Sequence, residues 1–366
     1  MGVTDQLAAR QARVRDRMDD LLVDTLLLSV GADLPYLTGY EAMPLERLTM
    51  LVLPLEGAAT LVVPELEAPR VEPQPEVFEI RTWSETEDPI AIVAALVGNR
   101  ADNIAVGDHT WARFVLRLQD ALPSGRFRPA SDVTGPLRAV KDAAEIEALR
   151  AAALAVDAVG LEMRERPFGG RTELDVHREF ADRILEHGHQ RVNFAIVGSG
   201  PNGASPHHEA SDRVIGDGDV VVCDFGGTMN GYCSDTTRMF VVGEPTAEVR
   251  DVYALLVDAQ EQGVRAATVG TSCEAVDATA RRVIEAGGLG DRFIHRTGHG
   301  IGLEAHEDPY LVSGNAEPLE PGHAFSIEPG IYLPGRFGMR LEDIVVATPS
   351  GPDRLNTGPR DLAIVG

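Results

Sequence analysis

Asp224 and Asp235 lie in VVVCDFGGTMNGYCSDTTRMFVV, Val220 to Val242, a stretch that otherwise reads as two apolar strands. They are symmetric about a point between Met229 and Asn230, inside a turn-like Gly-Gly-Thr-Met-Asn-Gly segment. A simple hairpin therefore sets the two acids face to face, an arrangement that destabilises a ladder. The pattern recurs in FSIEPGIYLPGRFGMRLEDIVVAT (325–348), where Glu328 and Glu342 are symmetric about Gly335 in a Pro-Gly-Arg turn. Four carboxylates among Val, Ile, Leu, Phe and Cys cannot all ionise without a compensating cation. A third stretch, HRTGHGIGLEAHEDP (295–309), supplies His295, His299 and His306 among glycines that let the backbone approach a site closely. Four carboxylates and an imidazole make a hard, oxygen-rich donor set. It suits two divalent ions of the manganese, cobalt or zinc kind better than a structural zinc site, which would need thiolates or more histidines. Two such ions, roughly 3.5–4 Å apart, would share bridging carboxylates and make water nucleophilic at neutral pH.

Helices have to carry these hairpins. Asp142 with Glu145 forms a capping-box pattern, followed by Ile146, Leu149, Ala153, Val156, Gly160 and Met163 at helical spacing. Helices are expected at 143–166, 173–187, 247–268 and 273–286, with Thr172, Thr246 and Ser272 as N-caps and Gly287 after the last. Glycine-punctuated strands fill the rest, so this part reads as α+β. Before it, LLVDTLLLSV (21–30), LTMLVLPL (48–55) and NIAVGD (103–108) look like buried strands, with helices near 88–98 and 111–122. That alternation predicts a smaller α/β domain, 1–138, ahead of a domain at 139–366, with ASDVTGPLRAV read as turn-rich. Gly198 to Gly203 matches GxGxxG, but Pro201, Pro206 and His207-His208 follow where a dinucleotide site needs a helix.

Composition narrows the class. The 366 residues are 44% hydrophobic and carry 33 basic against 57 acidic side chains, a net charge of -24. That balance argues against nucleic acid and anionic membranes as partners, and no apolar run is long enough for a span. The N-terminal stretch MGVTDQLAARQARVRDRMDD reads as an amphipathic helix without a signal core, so the expected location is cytoplasmic. Cys223, Cys233 and Cys273 have no CxxC spacing and read as reduced, buried thiols. Lys141 is the only lysine, which argues against Schiff-base chemistry.

CDFGGTMNGYCSDTTR, RTGHGIGLEAHEDP, SIEPGIY and MRLEDIV, in that order, resemble the pita-bread metallopeptidases, the family of methionine aminopeptidase, aminopeptidase P and prolidase. The resemblance runs from about 140 to the C-terminus, and DLPYLTGY (33–40) looks like the accessory N-terminal domain of aminopeptidase P and prolidase. It implies five metal ligands: Asp224, Asp235, His299, Glu328 and Glu342. Asp235 and Glu342 would bridge two ions, Asp224 would complete one, and His299 with Glu328 the other. Glu328 would also act as general base. His207 matches the family's substrate-side histidine, and His306 the one that contacts the scissile carbonyl or peptide end. His295 would line the pocket. Arg340 would hold a substrate carboxylate or only neutralise its acidic neighbours, and His208, without a match, is expected in solvent. The implied function is an exopeptidase cleaving before proline, with a small peptide carrying proline at its second position as substrate. A prolidase-like Xaa-Pro dipeptidase is preferred, with aminopeptidase P on longer peptides as the alternative. A non-catalytic peptide- or protein-binding module is the remote reading, and manganese and a homodimer are the implied metal and assembly.

Overall fold

Caps written into the sequence set where the long helices of this computed structural model begin. Residues 2–98 and 102–366 are described, and the chain packs as two units, Met1–Arg138 and Ala139–Gly366. In the first unit the elements are α1 (Val3–Asp20), β1 (Thr25–Leu28), α2 (Asp33–Thr38), β2 (Met50–Pro54), β3 (Ala59–Pro64), β4 (Phe78–Trp83), α3 (Pro89–Val97), β5 (Asn103–Val106), α4 (Ala112–Ala121), β6 (Arg126–Pro129) and α5 (Ser131–Ala139). The strands form one mixed sheet in the order β4-β3-β2-β1-β5-β6. Leu27, Val52, Val62 and Ile104 pack against Ile90, Val93, Phe114 and Leu118 of α3 and α4. The segment expected to be turn-rich is helix α5, with Pro136 inside it.

The second unit opens with α6 (Ala143–Met163), where the Asp142–Glu145 capping box forms as the sequence suggested. It continues with α7 (Glu173–Glu186), β7 (Arg191–Ser199), β8 (Val220–Met229), β9 (Tyr232–Cys233), β10 (Thr236–Val242), α8 (Ala247–Ala266) and α9 (Cys273–Ala286). The oxygens of Thr172 and Thr246 cap α7 and α8, whereas Ser272 holds its cap position without a side-chain bond. A short 3₁₀ turn, Gly200–Ala204, overlaps the GxGxxG match, and no α-helix opens there. The remaining strands are β11 (Gly298–Gly300), β12 (Glu307–Leu311), β13 (Ala324–Ile327), β14 (Gly330–Leu333), β15 (Phe337–Arg340), β16 (Asp343–Thr348), β17 (Gly351–Arg354) and β18 (Ala363–Val365).

Two sheets hold the site. One runs β18-β10-β8-β7, with β9 on β8; the other runs β12-β11-β13-β16-β17. Strand alternation sends Val221, Cys223 and Phe225 into a core with Val156, Phe180 and Ile184 of α6 and α7. Val220, Val222, Met239 and Val241 face the other way, toward Leu256, Ile284, Ile331 and Met339. In the second sheet Phe325, Ile327, Val345 and Ala347 pack with Val264 and Val276 of α8 and α9. Ala324, Ile344 and Val346 pack with Leu149 and Ala153 of α6.

The first hairpin corrects the expected pairing. Asp224 lies opposite Thr237, while Met229 pairs with Tyr232 around a two-residue turn. Asn230 and Gly231 make that turn, with φ of 50° and 84°. The centre is thus one residue beyond the symmetric estimate, so Asp235 meets Asp224 diagonally rather than across the ladder. In the second hairpin the expected register stands: Ile327 pairs with Asp343 and Gly330 with Arg340, which brings Glu328 level with Glu342. This hairpin divides there. Its base belongs to the five-stranded sheet and its tip, β14 with β15, is a separate two-stranded ladder. The two glutamates sit at the junction.

Candidate metal centre

Asp224, Asp235, His299, Glu328 and Glu342 converge on one cleft of about 800 Å³, which His207, His295, His306, Arg296 and Arg340 also line. Three groups of donor atoms lie within 4.8 Å of one another: Asp224–Asp235–Glu342, His299–Glu328–Glu342 and Asp235–His299–His306. Glu342 belongs to two of them and Asp235 to two.

The hairpins are locked together at this point. Arg238 donates to the main-chain oxygen of Glu342 at 2.5 Å and to Asp343 at 2.7 Å, and Thr236 donates to the same oxygen at 3.2 Å. His299 is placed by β11, squeezed between β12 and β13. A Cβ on Gly298 would collide with the Ser326 carbonyl and one on Gly300 with that of Asp308, so the residues flanking the imidazole have to be glycine. Glu307 on β12 is pinned by Lys141, whose ammonium lies 2.6 Å from its carboxylate with both side chains buried. That ion pair fixes the strand immediately after His306.

The donor set calls for positive charge. Burial pushes Asp235 and Glu342 well above the usual carboxylate range, and the neighbouring acids push them further. Asp224 is also raised by burial, with Arg340 pulling it back. Glu328 behaves differently. Burial would raise it, but His299, His295 and Arg340 outweigh that and hold it low. Two buried oxygens at the site, Asp224 Oδ1 and Glu342 Oε1, have no hydrogen-bond partner among the described residues. His299 gives Nδ1–H to the Gly300 carbonyl at 3.1 Å, since a carbonyl only accepts. Its Nε2 then faces acceptors only, Glu328 at 3.1 Å and Asp235 at 3.7 Å, so a positive centre has to lie among them. One arginine and one proton do not neutralise four gathered carboxylates. Divalent ions do, and they invert the local pKa logic.

Arg340 is buried and already engaged. It donates to Asp224 at 2.5 Å, to Thr237 Oγ1 at 3.1 Å, to the Tyr332 hydroxyl at 2.8 Å and to the Pro206 carbonyl at 3.3 Å. Of its two expected roles, these contacts are those of an internal counter-ion. His295 donates Nδ1–H to the Arg296 carbonyl at 2.7 Å, which leaves Nε2 to accept from the Tyr332 hydroxyl at 2.8 Å. Burial lowers its pKa, so the ring is neutral at pH 7. His306 is exposed and its ring lies 3.9 Å from that of His299. Burial of part of the ring, then the charges of His299 and Arg296, lower it to about 4. His207 is exposed at the cleft wall. His208 is not the solvent-facing residue the sequence suggested: Nε2 donates to Glu173 at 2.8 Å, and the side chain is 17% exposed.

Three contributors escaped the sequence reading. Thr237 donates to Glu342 Oε2 at 2.7 Å, and Ser326 donates to Glu328 at 3.0 Å while accepting His299 N–H at 3.0 Å. Tyr332 links His295 to Arg340. Period-2 spacing from Asp235 to Thr237, and from Ser326 through Glu328 to Tyr332, was the available signal.

Residues 146–349 match the model of metallopeptidase family M24, and residues 10–140 that of the creatinase/prolidase N-terminal domain. The chain is 46% identical over 344 residues to the probable dipeptidase PepE of Mycobacterium tuberculosis, covering 93% of this chain and 92% of that one. The crystal structure of dipeptidase PepE from Mycobacterium ulcerans aligns with a TM-score of 0.92 at 44% identity, over 100% of this chain and 99% of that chain. That of a prolidase from Thermococcus sibiricus aligns with a TM-score of 0.90 at 39% identity, over 99% of each chain. The chain is a metallo-exopeptidase and belongs to metallopeptidase family M24.

Proposed function

We propose that this protein is an Xaa-Pro dipeptidase that holds two divalent ions, manganese foremost, with cobalt or zinc as alternatives. The observation that carries the reading is the pair of donor groups sharing Glu342, with Asp235 contributing to a third group toward the histidines. Asp235 and Glu342 would bridge, Asp224 would complete one ion, and His299 with Glu328 the other. When bound, the ions supply Lewis acidity and a water activated at neutral pH. Glu328, held low by its cationic neighbours, is ionised and can take the attacking water's proton and return it to the leaving proline nitrogen. His306, uncharged at pH 7, and His207 stand at the cleft to hydrogen-bond the scissile carbonyl as it becomes an oxyanion. His295 and Tyr332 close one wall. The prolidase and dipeptidase relatives support a two-residue substrate. The proposal extends to a homodimeric enzyme working in the cytoplasm.

A second reading, an aminopeptidase on Xaa-Pro peptides of three or more residues, draws on the cleft's size of about 800 Å³, roomy for two residues. The test compares Xaa-Pro dipeptides with Xaa-Pro-Yaa tripeptides in added manganese. Higher kcat/KM on the dipeptides is expected. A preference for tripeptides selects the second reading, and cleavage of dipeptides irrespective of proline removes the Xaa-Pro assignment.

A further inference from the structure

A dipeptidase has to recognise a free carboxylate within two bonds of the peptide nitrogen it releases. From standard bond lengths that carboxyl carbon lies about 4 Å or less from the scissile carbonyl carbon. In a chain with a net charge of -24, the recognising group has to be a local cation. Two arginines line the cleft, Arg296 and Arg340. Arg340 spends its donors on Asp224, Thr237, Tyr332 and Pro206, inside the protein. Drawing it onto a substrate would leave the buried Asp224 without its counter-ion.

Arg296 is the opposite case. It sits in the connection just before β11, between pocket-lining His295 and the buried Thr297, and its side chain is half-buried. Among the described residues it forms no ion pair. Its guanidinium lies over the Tyr310 ring of β12, with Cζ 4.5 Å from the centroid. Such a cation–π contact holds the guanidinium in place without neutralising its charge. The residue is anchored from behind as well. Arg281 donates to the main-chain oxygens of Phe293 and His295 at 2.8 Å each, and Asp277 accepts from Thr297 N at 3.0 Å. The anchored loop thus presents to the cleft a guanidinium that no carboxylate engages among the described residues.

We propose that Arg296 is the specificity-determining residue that receives the C-terminal carboxylate of the dipeptide, bidentately, while Tyr310 supports its guanidinium. The proposal rests on the dipeptidase reading. Arg296 then selects by length: a substrate ending at its second residue presents a carboxylate to the fork, whereas an amide or a longer peptide presents a neutral group.

The test compares kcat/KM for matched Xaa-Pro acids and Xaa-Pro amides in manganese-loaded wild type, Arg296→Gln and Arg296→Lys. The wild type should prefer the acid. Arg296→Gln should lose roughly 10- to 100-fold on the acid, mainly in KM, and leave the amide unchanged, which also shows that the site still folds. Arg296→Lys should recover part of the preference, since it keeps the charge but not the fork. Binding of a hydrolysis-resistant dipeptide with a reduced peptide bond, acid against amide, should show the same loss. If Arg296→Gln keeps the wild-type acid preference, or loses acid and amide equally, Arg296 is not the carboxylate receptor although the dipeptidase reading stands. If the wild type itself shows no acid preference, the dipeptidase reading falls and the assignment of Arg296 with it.

Discussion

Replacing Glu173 by glutamine should destabilise the second unit by about 3 kcal/mol at neutral pH, although the change is nearly isosteric. Glu173 is the first residue of α7 and is fully buried. Its Oε1 accepts from Ser199 N at 2.8 Å and Ser199 Oγ at 2.7 Å. Its Oε2 accepts from Ser211 N at 3.1 Å, Ser211 Oγ at 2.6 Å and His208 Nε2 at 2.8 Å. A main-chain N–H stands on each side and can only donate, so a glutamine amide in either orientation would point its NH₂ at a donor. Burial, the largest influence on Glu173, would raise its pKa, but the bonds from Ser211, Ser199 and His208 outweigh it and hold the group at about 2, against an ordinary 4.5. At 1.36 kcal/mol per pK unit, that depression is worth about 3 kcal/mol. Because the folded-state value is the lower one, this stability is present above pH 4.5 and lost as pH falls through 2, with about 2 kcal/mol already gone at pH 3. Urea unfolding of wild type and Glu173→Gln at pH 7 and pH 3 measures it, since contributions common to both proteins cancel. The gap should be about 3 kcal/mol at pH 7 and shrink toward pH 3. A gap below about 1 kcal/mol at pH 7, or one independent of pH, refutes the reasoning. Catalytic efficiency should fall in the variant too, because the clamped loop carries His207.

Thr237→Val keeps shape but removes the donor to Glu342 Oε2 and the acceptor for Arg340, so manganese affinity measured by calorimetry should weaken by about 10- to 100-fold. Chelation should abolish hydrolysis, and manganese or cobalt should restore it; activity undiminished in metal-free protein would sink the mechanism. Metal removal should also lower the melting point of the second unit, since ions bind the folded state only, and a metal-independent midpoint would mean that the four acids are balanced in another way. Arg340→Ala strips the counter-ion from buried Asp224, so dipeptide acids and amides should suffer alike; a loss confined to acids would return carboxylate recognition to Arg340.

Much of the site was readable because strand period and turn chemistry are local. Gly335, with φ of 74°, centres the second hairpin where symmetry put it, and Glu328 and Glu342 come level as a result. The first hairpin misled because symmetry of the acids was allowed to choose the turn, when Asn230-Gly231, the strongest two-residue turn signal in the segment, fixes the register one residue later. Other features were not local. That one hairpin divides between two sheets is set by strand pairing beyond the hairpin itself, and Glu173 reads as an ordinary first-turn acid until the Ser199–Ser211 loop folds over it. The strands β4 and β6 escaped notice because they are sheet edges, FEIRTW and RFRP, whose exposed charged residues hide the alternation.

The single lysine has a practical consequence. Lys141 precedes the cap of α6, at the junction between the two units, and its ammonium is closed off against Glu307. A lysine-specific protease therefore finds one bond in the described chain, and only when the edge of the second unit opens enough to release that side chain. Cleavage there falls three residues past the boundary of the two units and parts residues 1–141 from 142–366 in a single cut. The rate of that cut under native conditions becomes a gauge of how often the buried Lys141–Glu307 pair opens, read from a gel without any label.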